Sequence, residues 1–140
     1  MVDRANRDVG ATVLRDLVDG RITNDDFMSK FPRGTDPALR AVLDFAWTQF
    51  SDLRAHTLAG RDNPTPERRA VLERCCLFLR TDLEFEWPLP TRSIWRGLLQ
   101  ILTLGRLFRP SEEDYKSKGD FEVWPFLRRS DYEAHALSPQ

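Results

Sequence analysis

Asp82, Glu84 and Glu86 alternate with Leu83, Phe85 and Trp87, and Asp120 and Glu122 repeat the theme further along the chain. In an extended segment successive side chains point to opposite faces, so the first three carboxylates share one side. The other two would join them if the segments lay together. Several converging oxygens are what a hard divalent cation needs. A charged strand edge that resists aggregation has the same pattern, with Arg80, Arg92 and Arg96 at hand as structural partners. The structural reading leads: no metal or other cofactor is expected, and Asp82, Glu84 and Glu86 are the metal candidates should one bind.

The only two histidines are His56 and His135. Each needs a partner supplied by tertiary structure before it can act as a general base or a ligand. His56 lies near an expected helix end, where an imidazole meets the last carbonyls favourably. Cys75 and Cys76 are adjacent, and helical neighbours diverge by about 100°, which excludes an ordinary disulfide between them. Zinc asks for four ligands and no second cysteine pair exists, so the two thiols are read as reduced members of a buried face. No phosphate-cradling glycine loop, nucleophile elbow, zinc-protease helix or kinase signature is present.

Trp87, Trp124, Phe85 and Phe126 are the candidate interaction residues, together with Arg128. Aromatic and arginine side chains dominate the energetics of protein interfaces when exposed, and the same aromatics equally suit a core. The arginine pairs Arg68 with Arg69 and Arg128 with Arg129, plus Arg106 and Arg109, are the best candidates for nucleic-acid contact. Each is diluted by nearby acids.

Helices must position these groups. Val9, Val13, Leu14, Leu17 and Val18 recur at helical spacing over residues 3–19, with Gly20 as the C-terminal cap. Thr23 with Asp26 begins a short helix, Ile22 and Phe27 are spaced as a hydrophobic staple, and Pro32 ends it. Asp36 followed by Pro37 starts a long helix whose stripe is Leu39, Val42, Leu43, Ala46, Phe50 and Leu53, bordered by Trp47 and extending as far as Leu58. Thr65 with Pro66 repeats that start for a helix carrying Val71, Leu72, Cys75, Cys76 and Leu79. Residues 82–90 read as extended, residues 93–105 as a further helix, Ser111 as the start of a short one that ends before Gly119, and Ser130 with Glu133 as the capping box of a last one. Residues 138–140 read as a frayed tail. The expected fold is an all-α single domain, a bundle of about five to six helices interrupted by two short extended Trp-Pro segments, DLEFEWP and DFEVWP. Whether those segments touch is left open, coincidence being the stronger account of the echo.

Bulk composition agrees with such a fold. The chain of 140 residues is 41% hydrophobic, 31% charged and 11% aromatic, enough for one core and a solvated surface. With 21 Lys and Arg against 22 Asp and Glu, the net charge of −1 provides no global field toward nucleic acid or an anionic membrane. The charged N-terminus lacks the apolar stretch of a secretory signal, so a cytoplasmic location without membrane attachment is expected.

The stretches CLFLRTDLEFEWP (residues 76–88) and GDFEVWPF (residues 119–126) resemble a family of small uncharacterised bacterial proteins without assigned activity. The resemblance implies a bacterial helical domain and transfers no functional residue. The leading expectation is therefore a noncatalytic protein-interaction module of the immunity or antitoxin-accessory sort, with a protein partner and self-association left open. The alternatives are a metal-dependent or small-molecule-processing enzyme built on Asp82, Glu84 and Glu86, and nucleic-acid binding through clustered arginines.

Overall fold

In a computed structural model that describes residues 1–51, 53–87 and 118–138, the chain is all-α, and among these residues five α-helices form: α1 (Arg4–Val18), α2 (Asn24–Lys30), α3 (Pro37–Trp47), α4 (Pro66–Leu79) and α5 (Arg129–Ala136). Two short 3-10 turns accompany them, at Gly60–Asp62 and Phe121–Val123. The expected helix over residues 93–105 lies outside the described residues, as do residues 111–117 of the short helix expected to end before Gly119, residues 88–90, and Arg92, Arg96, Arg106 and Arg109. No helix among the described residues is long and apolar enough to cross a membrane.

Local chemistry sets the helix starts. Asp3 caps α1 by accepting from Asn6 N at 3.1 Å, and Gly20, with φ of 71°, takes the left-handed conformation just past its end. At α2 the capping box is complete: Asp26 N donates to Thr23 Oγ1 at 3.1 Å and Thr23 N donates to Asp26 Oδ2 at 3.2 Å. Those bonds hold the Asp26 carboxyl below its ordinary pKa, the backbone donor of Thr23 being the main cause. Asp36 and Thr65 cap α3 and α4, each followed by a proline in the first turn.

α1 packs most extensively on α4 and also meets α2 and α3, and α3 in turn meets α4. The buried stripe of α1 is Arg7, Gly10, Ala11, Leu14, Leu17 and Val18. This differs from the expected face: Val9 is 49% exposed and Val13 only half-buried, because the helix is rotated to bring Arg7 inward. Gly10 belongs in this stripe for steric reasons, since a β-carbon there would sit 3.1 Å from Leu39 Cδ2 and 3.3 Å from the tip of Phe31. The core continues through Leu39, Val42 and Ala46 of α3, Leu58, and Leu72, Cys75, Cys76, Phe78 and Leu79 of α4.

α3 stops at Trp47, well short of Leu58. Its last turn tightens as Thr48 N donates to Phe45 O and Gln49 N to Ala46 O, both at 3.0 Å, while Thr48 Oγ1 also donates to Phe45 O at 2.6 Å. The chain beyond is captured by α2. Asn24, fully buried, donates through Nδ2 to Ser51 O at 2.9 Å and Arg54 O at 3.0 Å. Its Oδ1 accepts from His56 N at 2.8 Å, and its own N–H donates to His56 O at 2.9 Å. Leu53, expected on the helical stripe, is consequently left 92% exposed.

Asn24→Ala removes three side-chain hydrogen bonds and leaves the buried His56 N–H without its acceptor. At about 1–3 kcal/mol for each buried polar group left unpaired, a loss of about 2–4 kcal/mol of unfolding free energy is expected from urea titration. Hydrogen exchange at the His56 amide should accelerate as well. A loss below about 1 kcal/mol would mean that the loop holds without this clasp.

Candidate functional site

The two Trp-Pro segments meet, but not as paired strands. Residues 82–87 are nonhelical and alternate as expected, with Asp82, Glu84 and Glu86 exposed, Leu83 and Phe85 half-buried and Trp87 buried. The second segment is not extended. Phe121–Val123 is a 3-10 turn capped by Asp120, whose Oδ1 accepts from Glu122 N at 3.1 Å, and it leads into a cis peptide at Trp124-Pro125. Asp120 N donates to Leu127 O at 2.9 Å and closes the loop, with Gly119 so near that a β-carbon would lie 2.5 Å from that same oxygen. Trp87 joins the two segments: its Nε1 donates to Phe126 O at 3.2 Å, and Phe121 stands edge-on to its ring with centroids 6.0 Å apart.

This contact buries most of the candidate interaction residues. Trp87 is 3% exposed, Trp124 8% and Phe126 0%. Phe126 lies edge-on to Phe78, Trp124 leans on Phe45, and Phe85 packs edge-on to Phe78 from the half-buried row. Among the aromatics of this region Phe121 is the outward one, at 55% exposure. Arg128 remains exposed, 3.8 Å from Asp131. Arg129 bridges Asp120 at 2.9 Å and Glu122 at 2.7 Å, tying the 3-10 turn to the first turn of α5. That approach makes Arg128 the cap position, so Ser130 sits inside the helix and forms no capping box with Glu133.

The carboxylates do not converge. Asp82 lies 3.5 Å from Arg4, Glu84 lies 3.4 Å from the N-terminal ammonium, and Asp120 and Glu122 are engaged by Arg129. No group of three metal-ligating side chains forms among the described residues. Cys75 and Cys76 are free thiols in the core. Burial pushes the Cys75 thiol well above its ordinary pKa and that of Cys76 up to about 11, so neither is a ready nucleophile. His135 directs Nδ1 at Asp131 O, 2.8 Å away, and its ring lies beside Phe126.

The arginines of the described residues are largely spoken for. Arg69 donates to Val18 O and Arg74 to Trp124 O, both at 3.1 Å. Arg4 reaches Asp8, Leu79 O and Thr81 O. The most constrained is Arg7, wholly buried: Nε and Nη2 engage both oxygens of Asp36 at 2.7 and 3.1 Å. Its Nη1 donates to Thr81 O at 3.1 Å and Leu83 O at 2.7 Å, and the guanidinium carbon lies 5.3 Å from the centre of the Phe78 ring. This pair was missed from the sequence, although Arg7 falls on the same helical stripe as Gly10, Ala11 and Leu14.

A polar groove of about 240 Å³ opens between the end of α3 and the start of α4, lined in part by Gln49, Ser51, His56, Arg61, Asp62 and Arg68. Here His56 is not at a helix end but in the loop clasped by Asn24, with Nδ1 donating to Arg54 O at 3.0 Å. Arg54 Nη2 engages both oxygens of Asp62 at 2.7 and 2.6 Å, which holds that carboxyl below its ordinary pKa. Compared with protein-family models, with curated proteins and with solved structures, the chain matches none.

Proposed function

We propose that the protein is a noncatalytic protein-interaction module whose contact surface centres on Phe121 and Arg128. The observation that carries this reading is Phe121, 55% exposed yet seated edge-on against buried Trp87. Its turn is fastened by Arg129 to Asp120 and Glu122. An aromatic side chain held in place before contact loses little conformational entropy on binding, and aromatic and arginine side chains carry much of the energy of protein interfaces. Arg128, with 65% of its side chain exposed, supplies the neighbouring charge. Trp87, Trp124 and Phe126, the other aromatics considered for this role, support the surface from beneath.

A photo-crosslinking amino acid at position 121 should trap a protein partner in cells. The same partner should co-purify with the tagged wild type and be lost from the Phe121→Ser/Arg128→Glu variant, whose far-ultraviolet circular dichroism stays unchanged. Equal recovery by both proteins, or no specific cross-link at position 121, overturns the reading.

A further inference from the structure

We infer that the groove between the end of α3 and the start of α4 binds a small oxyanion of the phosphate class. Its volume of about 240 Å³ falls below the roughly 300–1,000 Å³ of sites for drug-sized ligands, which suits a compact polar group. The stretch that enters α4 contributes two guanidinium groups. Arg68 forms no ion pair among the described residues, and Arg61 has only the Asp62 carboxylate at 4.0 Å, whose two oxygens are already held by Arg54. The α4 N-terminus adds a favourable potential but few donors, because Pro66 has no N–H and Arg68 N is directed at Thr65 Oγ1. The side chains therefore carry the site.

His56 specifies the chemistry. It is 7% exposed, and Nδ1 faces a carbonyl oxygen that can only accept, so Nδ1 bears the proton of the singly protonated ring, which then presents a lone pair at Nε2. Nε2 has no partner among the described residues, and it is not sealed from solvent, since the only sealed and unpartnered side-chain polar atom among them is Gln49 Oε1. Gln49 lines the same groove, its amide nitrogen spent on Thr48 Oγ1 at 2.6 Å. An accessible acceptor without a donor, His56 Nε2, thus shares a groove with two arginines. A phosphate monoanion satisfies both halves: its charged oxygens face the guanidinium groups and its P–O–H donates to Nε2. Sulfate has the same shape and no proton to donate.

Isothermal titration of the full chain with inorganic phosphate at neutral pH and low salt should give saturable binding. Arg68→Gln, at an exposed position, should weaken it about tenfold or more, the loss expected for one charge-assisted hydrogen bond. The His56 ring protons should shift during the titration, and sulfate should bind several-fold more weakly than phosphate. Phenyl phosphate, compared at equal concentration of its monoanion, identifies the source: binding as tight as that of inorganic phosphate assigns the site to a monoester, and exclusion assigns it to free phosphate. Absence of saturable phosphate binding, an unchanged affinity in Arg68→Gln, or equal affinity for sulfate overturns the assignment.

Discussion

Arg7→Met is expected to lower the unfolding free energy by about 3–5 kcal/mol, because it leaves the buried Asp36 carboxylate without its counter-charge. Leu83 O loses its Arg7 donor at the same time, while Thr81 O keeps the one from Arg4. Set against total stabilities of about 5–15 kcal/mol for ordinary domains, that is a severe loss. Asp36→Ser keeps a side-chain oxygen at the α3 cap while removing the charge, so Arg7→Met/Asp36→Ser should be less damaged than the two single losses summed, and a denaturation double-mutant cycle measures the difference. The pair also predicts a pH limb. Burial pushes the Asp36 carboxyl up, but its bonds from Arg7, Asp3 N and Ala38 N outweigh burial and hold it below its ordinary value. A depressed folded-state pKa contributes stability that is fully present above the unfolded value of about 3.9 and is lost as pH falls through the folded one. The double variant should lack this component of acid destabilisation. Additive single losses, or a cost below about 1 kcal/mol for Arg7→Met, would show that the pair does not work as a unit.

What the sequence made legible was chemistry confined to a few neighbouring residues. The Thr23 and Asp26 capping box, the Asp36-Pro37 and Thr65-Pro66 starts and the left-handed Gly20 each need only local partners, and each stands where it was expected. The end of α3 was not legible. Phe50 and Leu53 continue the helical spacing, but the deciding bonds come from Asn24 on another helix. The same holds for α5, where Ser130 and Glu133 have the spacing of a capping box while Arg129, fixed by Asp120 and Glu122, determines how the chain enters the helix.

The candidate sites divide along the same line. The alternation of Asp82, Glu84 and Glu86 with Leu83, Phe85 and Trp87 correctly assigned an outer and an inner row, but neighbouring carboxylates on one face do not thereby converge. Arg4 and the N-terminus draw two of them apart. His56 shows the converse. Its own neighbours offered no catalytic or binding partner, and the groove it lines is assembled by the turn of α3, the Asn24 clasp and the start of α4. Sequence spacing cannot report an acceptor left without a donor, such as Gln49 Oε1.

Phe126→Ala should cost about 3–5 kcal/mol, which distinguishes a core role from an interface role for the residue that the sequence offered as an interaction candidate. The ring is fully buried, edge-on to Phe78 with centroids 5.1 Å apart and tilted against Tyr132 of α5 at 5.5 Å. Its carbonyl accepts from Trp87 Nε1 at 3.2 Å, so the side chain and the backbone of one residue join α4, the Trp87 segment and α5. Truncation removes the packing and opens a cavity among groups that also hold Trp87, so Trp fluorescence should report the loosening together with the lower denaturation midpoint. Phe126→Leu, which fills part of the space, should recover part of the loss. Phe121→Ser, five residues earlier on the exposed side of the same turn, should leave the midpoint nearly unchanged. If instead Phe126→Ala keeps wild-type stability and abolishes partner capture, Phe126 belongs to the contact surface and the C-terminal segment does not owe its position to this ring.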